Sequence, residues 1–515
     1  TGVLGAALGE DPESLDETCR YLSTSGQFIR HVDLRELPDG TYADRYAFIH
    51  VLYRDGLSQS LSARRRSRLH QLVGAHKARV YAGSTHLIAA ELAAHFEQAG
   101  DPLQAIRFLR ESADNALARY ANRSAVCHLT SALTLLERVP DGLRTELELE
   151  LLERRGLVYQ AMADMIEAIE DFERLLALAR ASDRIDTEVT ALLRLSSALS
   201  WIDRDRCLVA VDEARLRCRH LTEDAVRIQA LGSCAYWNLL WRRWDKRDAE
   251  DCLRATALEH PTDRGSRSGP MLARASYFLC LSGDYRQASD MAGESTSIAL
   301  ADGDSSEYLL ALYFRCWALL HAGRWDLFIE CVDEQAFRVA HSNDHQFWHL
   351  LFSLLRSWLE EICGDFDAAY RSASDALAQA ERHDLPFGRL LGLVRLGFAC
   401  QGLGRDRQAH DAFARCEAWL ASERVLMDWI VSIPMHHGLS RHWLKVGDID
   451  RARSAARSAL RLAEGPGEPT YMASALETLA SIAVATGDDA GAERALRRAF
   501  VALEHADAPL ASWRV

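Results

Sequence analysis

After Gly364, apolar positions fall at Phe366, Ala369, Tyr370, Ala373, Ala376, Leu377 and Ala380. That is the spacing of one helical face rather than the alternation of a strand. The rhythm recurs along most of the chain, and its punctuation is regular. Gly283, Gly323, Gly364, Gly404, Gly447 and Gly487 lie 40, 41, 40, 43 and 40 residues apart. A similar phrase follows each: Gly-Asp-Tyr285 with Ala288, Gly-Arg-Trp325 with Phe328, Gly-Asp-Phe366 with Ala369, Gly-Arg-Asp406 with Ala409, Gly-Asp-Ile449 with Ala452, and Gly-Asp-Asp489 with Ala492. Glycine just past a helical run takes positive φ and closes the helix. The Asp after it suits an N-cap, and the small or apolar residue five places on faces inward. Each period thus predicts helix, tight turn, helix, looser loop, as at Ala301-Asp-Gly-Asp-Ser-Ser306 and Glu464-Gly-Pro-Gly-Glu-Pro469. A repeat of this length predicts an all-α superhelical solenoid, whose units bury apolar faces only against neighbours. Binding along an extended surface, rather than catalysis, is the expected use.

Weaker punctuation continues upstream at Arg242-Arg-Trp-Asp245, Trp201-Ile-Asp203, Met162-Ala-Asp164 and Gly100-Asp-Pro102. The array is therefore expected over residues 83–515. Residues 1–82 break the pattern. Asp11-Pro12-Glu13 starts a helix that should carry Leu15, Cys19 and Leu22 inward. Phe28–Val32 and Tyr42–Ile49 read as strands joined through Pro38-Asp-Gly40. Helices follow from about His50 and from Ser62 to about Arg79. Helix, hairpin, then helices predicts a small winged-helix module.

Composition supports a repeat protein. With 515 residues, 48% apolar and 26% charged, the chain has ample core for an array that lengthens in one dimension. No run of apolar residues is long enough to span a membrane, and no segment reads as a signal peptide. The 12 cysteines are scattered singly, which predicts small core hydrophobes in a reducing cytoplasm rather than a disulfide or zinc framework. A formal charge of −14 argues against direct nucleic-acid contact. Arg64-Arg-Arg-Ser-Arg68 is the local exception, read either as a solvated helix face or as a contact for an acidic domain or a nucleotide phosphate.

Arg45-Tyr46-Ala-Phe48-Ile-His50-Val-Leu52-Tyr53-Arg54-Asp55, with Leu61, Arg65, Leu69 and His70, resembles the end of the nucleotide-binding region in STAND-class signal-transduction ATPases. Ala90–Gly100, continuing to Ala121-Asn-Arg-Ser-Ala125, is similar to the first helices beyond that region in large bacterial transcriptional regulators. The resemblance implies a right-handed array of tetratricopeptide-like helix pairs behind a winged-helix segment. It also implies a regulatory role, in which an inducer or protein partner binds the array and frees an ATPase to exchange nucleotide, self-associate and switch an output domain. His50, with Arg45, matches by position the nucleotide-proximal part of the winged helix; the alternative for His50 is a helix cap. ATP or ADP is implied for a full-length protein only. This chain has no GxxxxGK[ST] loop and no Walker B strand, so no cofactor is expected in it, and the ATPase and output domains are expected outside it, since both ends read as cut.

No catalytic motif is present: GxSxG, HExxH and GxGxxG are all absent. His341, His345 and His349 have helical spacing, but Ser342-Asn-Asp344 reads as a loop, so no metal site is expected and a metal-dependent enzyme ranks last. Met435-His436-His437 with His442 is a weak pH-responsive candidate. Trp237, Trp241 and Trp244 share one helical stripe beside Arg242 and Arg243, and Trp317, Trp325, Trp348 and Trp358 recur nearby. These aromatics fill seams between repeats or face the concave groove, where Trp and Arg anchor partners. Residues 237–247 are the preferred groove candidate. A free-standing scaffold joining two proteins is the alternative function.

Overall fold

The computed structural model describes the chain apart from residues 1, 27, 120, 163, 201, 243, 258–268, 338 and 340–345, and only the backbone of 333–335, 510 and 513. Two compact units divide it, Thr1–Ala198 and Leu199–Val515.

The first unit opens with helices Gly2–Leu8 and Pro12–Thr24; Asp11 caps the second by accepting from Ser14 N at 3.1 Å. Leu15 and Cys19 are buried as expected, but Leu22 is 36% exposed. The helix ends within two residues of it, so it turns away from the packed face. Strands β1 (Ile29–Glu36) and β2 (Tyr42–Phe48) pair antiparallel from Ile29↔Phe48 to Glu36↔Tyr42. β1 runs longer than its apolar residues suggest. The ladder continues through polar Arg35 and Glu36 because a tight turn holds its end, with Leu37 N donating to Thr41 O at 2.8 Å and Gly40 at φ 81°. Helices Val51–Ser60 and Ala63–Val80 follow, and Arg64, Arg65 and Arg68 form a solvated face.

Six further helices follow, the last ending at the boundary of the unit: Ala89–Ala99, Pro102–Leu117, Asn122–Leu135, Asp141–Ala161, Met165–Ala181 and Ile185–Leu199. Leu92, Phe96, Ile106, Phe108, Leu129 and Leu151 share one core. Gly100 takes φ 79°, and Asp101 caps the next helix through Gln104 N. A buried pair locks three successive helices. Arg155 donates to both Asp171 oxygens at 2.8 and 2.6 Å and to Thr130 Oγ1 at 3.0 Å. Such bidentate geometry repays desolvation that a loose pair does not.

The second unit is an α-solenoid of tetratricopeptide-like helix pairs, and each glycine of the ladder sits at a helix–helix turn. All six have φ between 69° and 83°. The residue after each donates its N–H to the carbonyl five back, as in Asp284 N to Leu279 O at 3.0 Å and Arg405 N to Cys400 O at 2.8 Å. This is the Schellman closure that only a left-handed residue permits. Where Asp follows glycine, its carboxylate caps the next helix, at 3.0 Å from Ala368 N for Asp365 and 3.1 Å from Arg451 N for Asp448. Where Arg follows, at Arg324 and Arg405, no side-chain cap forms. Ala288, Phe328, Ala369, Ala409, Ala452 and Ala492 are all buried.

Contacts between distant repeats were not legible from that periodicity. A Cβ at Gly283 would lie 2.5 Å from Pro469, and one at Gly323 would lie 2.9 Å from Pro509, so each turn abuts a helix start 186 residues further on. Tyr285 donates to Glu468, Arg286 pairs with Asp507 at 3.3 Å, Met427 N donates to Leu240 O at 2.8 Å, and Trp429 Nε1 to Leu239 O at 2.8 Å. Leu279, Tyr285 and Ala318 share a core with Leu460, Leu476 and Leu503. The superhelix of this unit thus closes on itself after between four and five repeats.

Candidate functional site

Closure turns the first helices of successive pairs inward. Ser305–His321 presents Tyr313, Trp317 and His321 at i, i+4 and i+8, one stripe of a helix. Gln346–Ile362 adds Trp358 and Glu361, Pro386–Gly402 adds Arg395 and Phe398, and Pro469–Ala485 adds Tyr471. The small residues Gly388, Gly392 and Gly397 let Pro386–Gly402 approach closely: a Cβ at Gly397 would lie 2.6 Å from the Phe413 ring.

Tyr313, Trp317, Trp358, Arg395 and Tyr471 line a small cavity of about 40 Å³, whose apolar wall includes Leu354, Ile430 and Pro434; His321, Glu361 and Phe398 pack behind these side chains. Trp358 stacks parallel to Tyr471 at 6.4 Å and meets the His321 ring edge-on at 5.0 Å; Tyr285 stacks on His321 at 4.9 Å. Arg395 is 6% exposed. It lies over Trp358 at 4.5 Å and Phe398 at 5.2 Å, and pairs with Glu361 at 3.1 Å. A guanidinium over an indole face, already paired, is a cation the interior tolerates.

Hydrogen bonding fixes the tautomer of His321, behind the Trp358 wall. Thr470 Oγ1 donates to Glu468 at 2.7 Å, so the 3.2 Å contact with His321 Nδ1 requires the imidazole to donate there. His321 Nε2 is then a bare acceptor, and it has no partner. Trp317 Nε1 and Tyr277 Oη are also buried without a partner. Burial, then the Arg395 charge, pushes His321 down to about 3, so the ring is neutral. Burial raises Glu468 and Glu361, with Tyr285 and Arg395 respectively opposing the rise. Orphaned donors and acceptors in and behind an aromatic wall cost stability and ask for an explanation. They suit recognition by stacking and a few hydrogen bonds.

The sequence candidates lie elsewhere. Trp237 and Trp241 are 8% and 7% exposed, at the end of Asp224–Trp241 that receives Met427 and Trp429 from the next superhelical turn. The Nε1 groups of Trp241 and Trp244 are unpartnered. Arg242 is exposed and bidentate to Asp212 at 2.7 and 2.8 Å; Arg243 lies outside the described residues. His50 caps Val51–Ser60, its Nδ1 accepting from Leu52 N at 3.2 Å. Arg45 pairs across the hairpin with Asp33 at 2.7 Å. His341 and His345 are outside the described residues, and His349 packs on Phe337 at 5.0 Å. His442 stacks on His410 at 4.6 Å. Among the described residues no group of three His, Cys, Asp or Glu is placed to hold a metal, and no helix is long and apolar enough to cross a membrane. Ten of the 12 cysteines are buried, all as free thiols.

Sequence reading passed over Tyr313, His321, Arg395, Glu468 and Tyr471. The available signal was Trp317 and Trp358, 41 residues apart and therefore at equivalent positions of adjacent repeats.

No protein-family model matches the chain, and no curated protein matches it. Similar solved structures include the apo quorum sensor NprR from B. thuringiensis, 10% identical, covering 65% of this chain and 95% of that one, with a TM-score of 0.45. Another is the human IFIT1 dimer with m7Gppp-AAAA, at 13%, 77%, 90% and 0.38. The APC/C hetero-tetramer Cut9-Hcn1 stands at 13%, 87%, 95% and 0.37. At such identities and scores the likeness says nothing of ligand or role.

Proposed function

We propose that this chain is the regulatory segment of a larger signal-transduction ATPase, and that its solenoid receives an inducer or protein partner in the aromatic cavity. The observation that carries the binding role is a set of unpartnered groups, Trp317 Nε1 of the cavity wall with Tyr277 Oη and His321 Nε2 of the rings packed on Trp317 and Trp358. About 40 Å³ is far below the several hundred that a metabolite occupies, so a ligand enters only by parting the successive superhelical turns. A ligand that binds the parted state better shifts the array toward it, and the change reaches every repeat because each packs on the next.

The ATPase context rests on the resemblance of residues 45–70 and on the character of the first sixty residues. Tyr21, Leu34, Tyr42, Leu52 and Leu57 are 56% exposed or more, as in a module that packs on a further domain. Such a segment works in the cytoplasm, with nucleotide held by the domain it contacts.

The test has two arms. A metabolite and peptide screen by thermal shift, repeated on Trp358→Ala, should yield a stabilising ligand whose effect the variant loses; ligands acting equally on both proteins would contradict the cavity. Reading the gene upstream should reveal a phosphate loop, and an initiator codon close to Thr1 would contradict the ATPase context and favour a free-standing scaffold.

A further inference from the structure

A second cavity, of about 260 Å³, opens between Asp428–Lys445, Pro469–Ala485 and Pro509–Arg514. One face of the first helix supplies His437, Arg441 and Lys445, the second helix supplies Glu477, Thr478 and Ser481, and the third Arg514. Three cations therefore face one carboxylate. Arg514 pairs with Glu477 at 2.7 Å, and Lys445 with Asp406, outside the cavity, at 2.7 Å. Arg441 makes no hydrogen bond or ion pair among the described residues. The nearby Glu361 is bonded to Arg395, and Arg514 sets a like charge against Arg441. Desolvation by the cavity wall and that repulsion pull the Arg441 guanidinium below its ordinary range, although the residue as a whole is exposed.

His437 adds no charge. Thr478 Oγ1 donates to Ser474 O at 3.1 Å, so the 3.4 Å contact makes His437 Nδ1 a donor, and burial pushes the ring down to about 3. The wall thus offers an unpaired five-donor fork, a second guanidinium and an ammonium, with like charges left facing one another, while the Thr478 and Ser481 hydroxyls donate to backbone carbonyls. A bound oxyanion relieves that repulsion and is the species a planar fork recognises.

We propose that this cavity binds a small oxyanion, the phosphate or carboxylate group of a metabolite, with Arg441 as its principal ligand and Arg514 and Lys445 as flanking cations. The site shares no cavity-lining residue with the aromatic chamber, so its failure leaves the proposed function standing.

The experiment is calorimetric titration of the whole chain with inorganic phosphate and, separately, succinate, at constant ionic strength set by sodium chloride. Saturable binding of either is expected, and the stronger one names the class. Arg441→Ala should weaken it at least ~10-fold, as for a hydrogen bond to a charged group. Arg441→Lys should retain part of the affinity, because an ammonium keeps the charge and loses the fork. Without anion, Arg441→Ala should melt no lower than the parent, because it removes an exposed guanidinium with no hydrogen bond or ion pair among the described residues, which separates lost binding from misfolding. No saturable binding of either anion, or equal binding by Arg441→Ala, would overturn the proposal.

Discussion

Trp241 and Arg242 are neighbours in sequence that the structure uses oppositely. The indole is buried where the 427–429 segment meets its helix, and the guanidinium stays at the surface on Asp212. Trp241→Ala should therefore cost about 3–5 kcal/mol of unfolding free energy, the range for a large core truncation. Arg242→Ala should cost less than about 1 kcal/mol, because the pair is solvated. Chemical denaturation of both variants checks this, and equal effects would misplace the indole. His321 gives a pH dependence. Its pKa is near 3 in the fold and about 6.5 in an unfolded chain. The unfolded state binds the extra proton between those values, so this stability is complete above about pH 6.5 and is lost as pH falls. His321→Phe, which keeps a ring on Tyr285 and Trp358, should show a smaller fall in melting temperature between about pH 7 and pH 5 than the parent. An identical fall would assign the acid sensitivity to other groups, His437 first.

Turns between helices were readable because their chemistry is local. Glycine, Asp and a small apolar residue at fixed offsets specify a Schellman closure, an N-cap and an inward contact within six residues. Upstream, Met162, Ile202 and Arg242 stand near helix ends that lack this glycine, and the periodicity there was correspondingly faint. β1 was read short because both of its faces are largely solvated, so alternation carried no signal beyond Val32. The rungs also differ in a way the sequence hides. Gly364 has open space around a Cβ, whereas Gly283 touches Pro469. Gly364→Ala should cost about 1–2 kcal/mol for the left-handed backbone alone. Gly283→Ala should cost clearly more and lower protection of Tyr285 in hydrogen exchange; matching costs would mean that the two turns do not press on each other.

At the scale of the molecule, what the sequence concealed is the closure of the second unit. Superhelical pitch is the sum of small rotations between repeats, and no single repeat encodes it. Two of its products, the Tyr285–Glu468 and Trp429–Leu239 bonds, join residues more than 180 apart, and the aromatic cavity gathers residues from Tyr313 to Tyr471. Trp237 and Trp241 are buried at the helix end that the 427–429 segment meets, and the inner side chains Tyr313, Trp317 and Trp358 line the aromatic cavity. On the proposed function, binding and opening are one equilibrium, with the closed array as the resting state.

Arg286 and Asp507 report on that equilibrium directly. They pair at 3.3 Å across the contact between turns and are 79% and 50% exposed, so labels disturb little. Spin labels at these two positions, read by dipolar spectroscopy on the ligand-free chain, should give one narrow population at short distance. A ligand found by thermal shift should move it to longer distance. A broad or long distribution in the ligand-free protein would contradict the closed array and the sensing account built on it.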